Sequence, residues 1–167
     1  MKYTLLSLTY KLFHPKVEFK YIPYWWRRSL LGQIGHSIRK FVCQNIARNC
    51  ITNFMRINIY RVCGFKIGKG CFIGMKCYFD DLCADKITIG NHVTISYGVY
   101  FTCHSPMQAH NTLVIKDDVY IGMRASIVAS KNIEIGEGAI VGAMCLVNKN
   151  VPAGKTVVGV PGRVLEK

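Results

Sequence analysis

Acidic residues are scarce in this 167-residue chain, and the few present are unevenly distributed. The sequence has 9 Asp and Glu against 22 Lys and Arg, for a formal net charge of +13. Residues 1–66 contain twelve basic residues and a single acid, Glu18, whereas residues 67–167 are close to balanced. Such an asymmetry indicates that the first part meets something anionic: a membrane leaflet, a phosphorylated ligand or nucleic acid.

Long apolar runs, a secretion signal and the common cysteine motifs are also missing. No segment has 18 consecutive apolar residues, and residues 1–13 are too short and polar to span a bilayer and lack a small-x-small cleavage site. Cys71, Cys77 and Cys83 are six residues apart, which fits neither a CxxC zinc site nor a disulfide scaffold. We therefore expect small, buried cysteines in a reducing cytoplasm. The sequence also has no P-loop and no GxGxxG motif.

From Ile67 onwards the sequence repeats every six residues. The units read IGKGCF, IGMKCY, IGNHVT, ISYGVY, FTCH, IKDDVY, IGMRAS, IVASKN, IGEGAI, VGAMCL and VNKNVP, and each begins with Ile, Val or Phe. A period of six fits neither one long strand nor one long helix. It fits a chain that makes a short strand, turns a corner and repeats, with three units closing a triangular coil of about 18 residues. Residues 67–167 are thus predicted to form an all-β, parallel β-helix whose first positions point inward.

Residues 1–66 are predicted to form a basic, amphipathic helical extension. Apolar residues recur there at steps of three and four, and the basic residues lie mainly off that stripe; the stripe comprises Leu30, Leu31, Ile34, Ile38, Phe41, Val42 and Ile46. The stripe is expected to pack on the β-helix, at least in part. Just before it, Tyr24, Trp25 and Trp26 lie beside two arginines, which suits either a membrane interface or a core.

Three motifs resemble those of the hexapeptide-repeat, left-handed β-helix acyltransferases. They are VYFTCHSP at 99–106, VIKDDVYIG at 114–122, and the terminal stretch at 151–164 with VGVPGRV. Within that family they are most similar to the branch of maltose and galactoside O-acetyltransferases and of polysaccharide or lipopolysaccharide O-acetyltransferases. The resemblance covers residues 67–167. It implies left-handed coils, acetyl transfer from acetyl-CoA to a hydroxyl group, and a homotrimer with its sites between two prisms.

The resemblance also implies roles for individual residues. Acetyl transfer needs a base that titrates near neutral pH, and His104 occupies the position of the family's catalytic histidine, beside a loop at 105–113. Asp81 and His110 are the candidates for acceptor binding. The residues expected to bind acetyl-CoA are Tyr120, the backbone of Gly122 and Ala143, and the side chains of Asn148, Lys149 and Arg163, whose cations suit its phosphates.

Several alternatives stay open at this point. The chain has Ile73 where several sugar acetyltransferases have asparagine, and its stretch before His104 is two residues shorter, so xenobiotic or serine acceptors compete with a surface-polysaccharide precursor. A γ-class carbonic anhydrase would need three zinc-binding histidines, but none lies between Arg61 and Asn91. A non-catalytic β-helix for oligomerisation or nucleic-acid binding is the other alternative, without any nucleic-acid motif to support it. We expect a cytoplasmic enzyme with no metal, and a peripheral contact of residues 1–66 with the inner membrane.

Overall fold

The structure is a computed structural model that describes residues 4–27, 29–104 and 110–165; of Lys20, Tyr24 and Trp25 it describes the backbone alone. The interface role predicted for the Tyr24 and Trp25 side chains therefore lies outside the described residues. The helices are α1 Leu5–Phe13, α2 Tyr24–Arg27, α3 Leu30–Phe41 and α4 Asn53–Val62, with 3₁₀ segments at Phe19–Tyr21, Ala47–Asn49 and Asp81–Lys86 and a π segment at Val42–Ile46. The strands are β1 Lys66–Ile67, β2 Phe72–Ile73, β3 Tyr78–Phe79, β4 Ile87–Ile89, β5 Thr94–Ile95, β6 Tyr100–Thr102, β7 Leu113–Ile115, β8 Tyr120–Ile121, β9 Ser126–Val128, β10 Ile133–Ile135, β11 Ile140–Val141, β12 Leu146–Val147, β13 Thr156–Val158 and β14 Arg163–Val164.

The strands stack into three sheets around one axis. Sheet 1 contains β1, β4, β7 and β10; sheet 2 contains β2, β5, β8, β11, β13 and β14; and sheet 3 contains β3, β6, β9 and β12. Paired strands are parallel, except that β14 runs antiparallel to β13. The chain visits sheets 1, 2 and 3 in turn, so it forms a β-solenoid preceded by helices. The predicted parallel β-helix is confirmed.

The first residues of the six-residue units form the core. In sheet 2, Ile73, Ile95, Ile121 and Val141 are completely buried, and each pairs in register with its counterpart one coil away. The preceding residue of each strand points outward, because side chains alternate along a strand. Burial of one isoleucine contributes about 1.5–3 kcal/mol, so the repeated inward position is the main source of stability.

The cysteines of the first coils are buried in this core as free thiols. Cys71, Cys77 and Cys83 are all buried, as the sequence predicts. Burial raises the pKa of the Cys71 and Cys77 thiols, and burial together with the Asp80 carboxylate raises the pKa of Cys83 to about 12. These thiols therefore stay protonated at neutral pH and serve as small apolar residues.

The first coils are longer than the repeat predicts. Tyr78 pairs with Tyr100, and Tyr100 pairs with Ser126, so each of these coils exceeds the expected length of about 18 residues. The expectation is wrong there because extra residues lie between repeat units, at the 3₁₀ segment Asp81–Lys86 and before β7. Both insertions lie at the same corner, between sheets 3 and 1.

Helix α4 covers the open edge of the first coil. The Asn53 side chain makes the two hydrogen bonds that a neighbouring strand would make: its amide donates to the Cys71 carbonyl (3.0 Å), and its Oδ1 accepts from the Ile73 amide (2.9 Å). The buried Arg56 donates from Nε to the Ile73 carbonyl (2.6 Å). Two further donors reach the same coil: Arg61 of α4 donates to the Gly68 carbonyl, and Gln44 of the π segment donates to the Phe79 carbonyl. Polar groups that an edge strand would leave exposed are thereby satisfied.

The chain divides into two compact units, residues 1–40 and 41–167. Residues 41–66, which the sequence analysis places in the N-terminal extension, include core members such as Cys43, Ala47 and Tyr60.

In the first unit, the N-cap Thr4 holds α1 and also donates to the Trp26 carbonyl (3.1 Å). No helix among the described residues is long and apolar enough to cross a membrane.

Helix α3 has an apolar stripe without a buried residue. Its apolar side chains are all at least half exposed, from 50% for Ile34 to 81% for Leu31. The polar Gln33 and Arg39 are less exposed than these apolar residues. That the α3 stripe packs on the β-helix stays a prediction; Val42, which continues the stripe within residues 41–167, packs against the core.

Candidate active site

His104 lies at the corner where the chain leaves sheet 3 for sheet 1. It follows β6 and forms an isolated antiparallel bridge with His110. The Asn111 amide donates to the Cys103 carbonyl (2.8 Å), and the Asn111 side chain donates to Ala129 of the next coil (2.8 Å). These bonds close the base of the loop and hold His104 on a rigid part of the prism. The intervening residues 105–109 lie outside the described part of the chain.

A buried carboxylate orients the His104 ring. Nδ1 of His104 lies 2.6 Å from Oδ2 of Asp80, whose side chain is only 1% exposed. The same Oδ2 accepts from the Cys103 amide (2.9 Å), and Oδ1 accepts from the Leu82 amide (3.2 Å). A carboxylate can only accept, so this contact suits the tautomer of the neutral ring that carries its proton on Nδ1 and presents the lone pair of Nε2. The His104 side chain is 44% exposed, so an exposed imidazole stands over a buried carboxyl group.

Asp80 is the functional residue that the sequence analysis missed. The sequence showed the Asp80–Asp81 pair, but the resemblance assigned a role only to Asp81. Pairing of Tyr78 with Tyr100 places the residues after β3 beside those after β6, and this brings Asp80 under His104. The Asp81–Lys86 insertion breaks the six-residue count, so the register was not readable from the repeat.

Asp81 is buried next to Asp80, and both carboxyl groups affect the pKa of the nearby Tyr78. The Asp81 side chain is 3% exposed at the start of the 3₁₀ segment, so it is not a surface charge. Burial raises the pKa of Tyr78, and the negative charges of Asp80 and Asp81 raise it further. The corner therefore holds two buried carboxyl groups beneath an exposed imidazole. Among the described residues, no three potential metal ligands gather.

The residues predicted to bind acetyl-CoA fall at two different corners. Asn148 and Lys149 follow β12 and are exposed at the corner of His104, two coils further along the axis. Gly122 and Ala143 follow β8 and β11, at the corner between sheets 2 and 3. One prism therefore places these two groups at opposite edges of sheet 3.

The turns at the corner between sheets 2 and 3 are tightly stacked. A Cβ on Gly122 would lie 2.5 Å from the Ala143 amide nitrogen, so only glycine fits there. The Ala143 amide donates no backbone hydrogen bond within the described part of the chain. Tyr120 is 45% exposed on β8, where its hydroxyl bonds Ser96 Oγ (3.2 Å), and Arg163 is exposed on β14.

The chain is similar to proteins named as acetyltransferases. YvoF of Bacillus subtilis, named as an acetyltransferase, is 30% identical over 132 residues, covering 77% of this chain and 76% of that protein. The serine acetyltransferase of Bacillus subtilis is 35% identical over 106 residues, covering 61% of this chain and 48% of that protein. This chain thus spans about half the length of the serine acetyltransferases that it matches. No protein-family model matches it.

Solved structures share the fold. The maltose O-acetyltransferase of Clostridium difficile has a TM-score of 0.61 and 25% identity, covering 83% of this chain and 88% of its own. A hexapeptide-repeat acetyltransferase of Vibrio cholerae, solved with acetyl-coenzyme A, has a TM-score of 0.59 and 20% identity, covering 83% and 90%.

Proposed function

Because the chain belongs to the hexapeptide-repeat acetyltransferase family, we propose that it transfers an acetyl group from acetyl-CoA to a hydroxyl group, with His104 as the general base. The observation that carries this proposal is the 2.6 Å contact between His104 Nδ1 and the buried Asp80. It leaves Nε2 of an exposed ring as an acceptor for a hydroxyl proton.

The reaction follows from this arrangement. His104 Nε2 takes the hydroxyl proton while the hydroxyl oxygen bonds to the thioester carbonyl carbon. Asp80 stabilises the imidazolium that forms and keeps the ring in one orientation. The tetrahedral species then collapses, the carbon–sulfur bond breaks, and the departing thiolate of CoA recovers the proton from Nε2. The products are an acetyl ester and CoA, and the enzyme returns to its starting state.

The proposed acceptor is a sugar hydroxyl, as in a surface polysaccharide or lipopolysaccharide precursor. Similarity to a maltose O-acetyltransferase over most of both chains supports a sugar. Serine is the second candidate, since serine acetyltransferases reach 35% identity over part of their length. Asp81 and His110 stay proposed as acceptor-binding residues.

We further propose a homotrimer in which two chains build each site. The proposed CoA residues Gly122 and Ala143 lie across sheet 3 from His104 in one prism, so a neighbouring prism must supply one of the two groups. Closed symmetric assembly repeats such an interface identically. Asn148, Lys149 and Arg163 then offer donors and positive charge to the phosphates of CoA.

The exposed apolar stripe of α3 supports peripheral attachment to an anionic membrane. Five large apolar residues lie exposed on this helix, and Arg39 and Lys40 occupy its last turn. Helix α1 is similar, with exposed Leu5, Leu12 and Phe13 and the basic Lys11. An apolar face flanked by cations is the pattern of helices that lie in a membrane interface.

An acceptor screen with a base-deficient variant tests the proposed reaction. Full-length protein, acetyl-CoA and a panel of sugars and serine are followed by release of free CoA thiol. His104→Ala is expected to lower kcat/KM by about 10²–10⁴ because no other group removes the proton.

The matched control is His92→Ala, an exposed histidine in the turn between β4 and β5. It should retain wild-type activity. Equal rates for wild type and His104→Ala would eliminate His104 as the base.

A further inference from the structure

A cationic site lies away from the Asp80–His104 pair. A cleft of about 400 Å³ opens at the corner between sheets 2 and 3, bordered by Arg48, Lys76 and Arg124, with Tyr97, Tyr100 and Ser126 as further walls. Among the described residues that line it, none is acidic. We name these three basic residues the cationic corner.

The backbone of the turns creates the space. Lys76, Gly98 and Arg124 occupy equivalent positions in three successive coils, each with a positive φ, of 62°, 70° and 56°. The Gly98 amide donates to Met75 (2.9 Å) and the Arg124 amide donates to Tyr97 (3.0 Å), so the turns stack directly. A Cβ at Gly98 would lie 3.5 Å from Cγ of Arg124. The missing side chain in the middle coil therefore leaves a gap between two cations.

Arg48 closes this gap from outside the prism. Its Nε donates to the Lys76 carbonyl (3.2 Å) and its Nη2 to the Tyr100 hydroxyl (3.4 Å), and its guanidinium lies 6.0 Å from the centre of the Tyr100 ring. The Lys76 amide donates back to the Arg48 carbonyl (2.9 Å), and its ammonium group bonds the Asn49 side chain. Two of the three cations are thus held in place by neutral partners.

Neutral partners do not compensate the charge. Like charges that share a small cleft repel one another, and a multivalent anion removes that repulsion while accepting several charge-assisted hydrogen bonds. Guanidinium groups match the oxygens of phosphate in geometry as well as charge. The site is therefore organised for an anion with several oxygens.

The cationic corner lies across sheet 3 from His104 of the same chain, at the corner that also holds Gly122 and Ala143. In the proposed trimer, the His104 corner of a neighbouring chain would stand beside it. Tyr78 stacks on Tyr100 (5.6 Å between ring centres), which extends a flat aromatic wall along this face. A substrate whose phosphate bound at the cationic corner would then meet the base of the neighbouring chain.

We propose that the cationic corner binds a phosphate or diphosphate group of a substrate. The site itself stands on the geometry above; its link to a substrate rests on the proposed acetyl transfer. The phosphate belongs either to a phosphorylated acceptor or to CoA, and the kinetic arm of the test separates these two sources.

Calorimetric titration of the full-length protein with inorganic pyrophosphate tests the site without turnover. Arg124→Gln keeps the Cβ and removes the charge, and it should weaken pyrophosphate binding about tenfold or more, because a charge-assisted contact is lost. Lys69→Gln is the matched control: it removes one charge from an exposed turn between β1 and β2 and should bind within about twofold of wild type. No binding by wild type, or equal binding by wild type and Arg124→Gln, overturns the site, as does an equal loss in both variants.

Steady-state kinetics of the same variants identify the source. A higher KM for a phosphorylated acceptor alone assigns the phosphate to the acceptor, and a higher KM for acetyl-CoA alone assigns it to CoA. If neither KM changes while pyrophosphate binding is lost, the link to a substrate is wrong. Failure of the acetyltransferase proposal would appear instead as no turnover with pyrophosphate binding intact.

Discussion

At the scale of single residues, the Asp80 carboxylate performs two tasks with one oxygen. Oδ2 accepts from the Cys103 backbone and contacts His104 Nδ1, so the strand end and the imidazole share an anchor. His104 was predictable because it ends a repeat unit within a recognisable motif. Asp80 was not, because its position depends on the register between β3 and β6, which the insertion at Asp81–Lys86 conceals.

Replacement of Asp80 tests whether this residue orients the His104 ring or binds the substrate. Asp80→Asn is expected to lower kcat by about 10²–10³, since the amide can donate to Nδ1 and hold the wrong tautomer. The KM for acetyl-CoA should change little, because Asp80 is buried and acts through His104. The measurement is a full kinetic profile, with thermal unfolding to confirm the fold.

Asp85→Asn is the control for this change. This variant makes the same chemical change in the 3₁₀ segment that follows Asp80. The Asp85 side chain, however, is 72% exposed and lies beside Lys86. It should behave as wild type. A higher KM with an unchanged kcat for Asp80→Asn would show that the carboxylate binds substrate instead of positioning the base.

At the scale of elements, the sequence predicted both the strands and their packing, but for helix α3 it predicted only the helix and its apolar face. The six-residue phase identified the β-helix because every coil repeats the same inward position. Helix α3 was predicted from its apolar stripe and is present. What covers the stripe stays a prediction, because periodicity defines an apolar face and not its partner.

The apolar face of α3 is expected to hold the protein on anionic membranes. Full-length protein should float with vesicles containing phosphatidylserine at low salt, and Ile34→Glu should reduce the bound fraction about tenfold, since it places a charge in the apolar face. Ile51→Glu is the matched control, because Ile51 is 85% exposed and lies outside α3. Wild type that stays in the soluble fraction would remove the membrane proposal.

At the scale of the whole molecule, the separation of the proposed site residues favours a site built by more than one chain. His104 and Ala143 lie at opposite edges of sheet 3, so an active oligomer should pair the His104 corner of one copy with the Ala143 turn of the next. The fold class and the three-fold coil were readable from the repeat. The assembly was not, because outward-facing residues obey no strict period.

Complementation between two inactive variants tests this assembly. His104→Ala removes the base, and Ala143→Trp fills the exposed turn. Each alone should be inactive, while the co-expressed mixture should recover about a quarter of wild-type activity, because random assembly unites an intact base with an intact turn at that fraction of interfaces.

Sedimentation provides the second measurement for the same proposal. Wild type and both variants should sediment as three copies. A mixture that stays inactive although mixed oligomers form would place the whole site within one chain, and a fully active monomer would exclude the trimer.

The cap formed by α4 fixes one end of the stack of coils. Asn53 and Arg56 occupy the strand edge of the first coil, so layers cannot be added below it, and every later layer is counted from that end. His104 and Lys149 stand two layers apart at one corner, a distance of about 10 Å at the usual strand spacing. Insertion of one duplicated layer between them would move Lys149 about 5 Å further from the base. If Lys149 binds CoA as proposed, the number of layers between it and His104 sets the distance from the base to the bound phosphates.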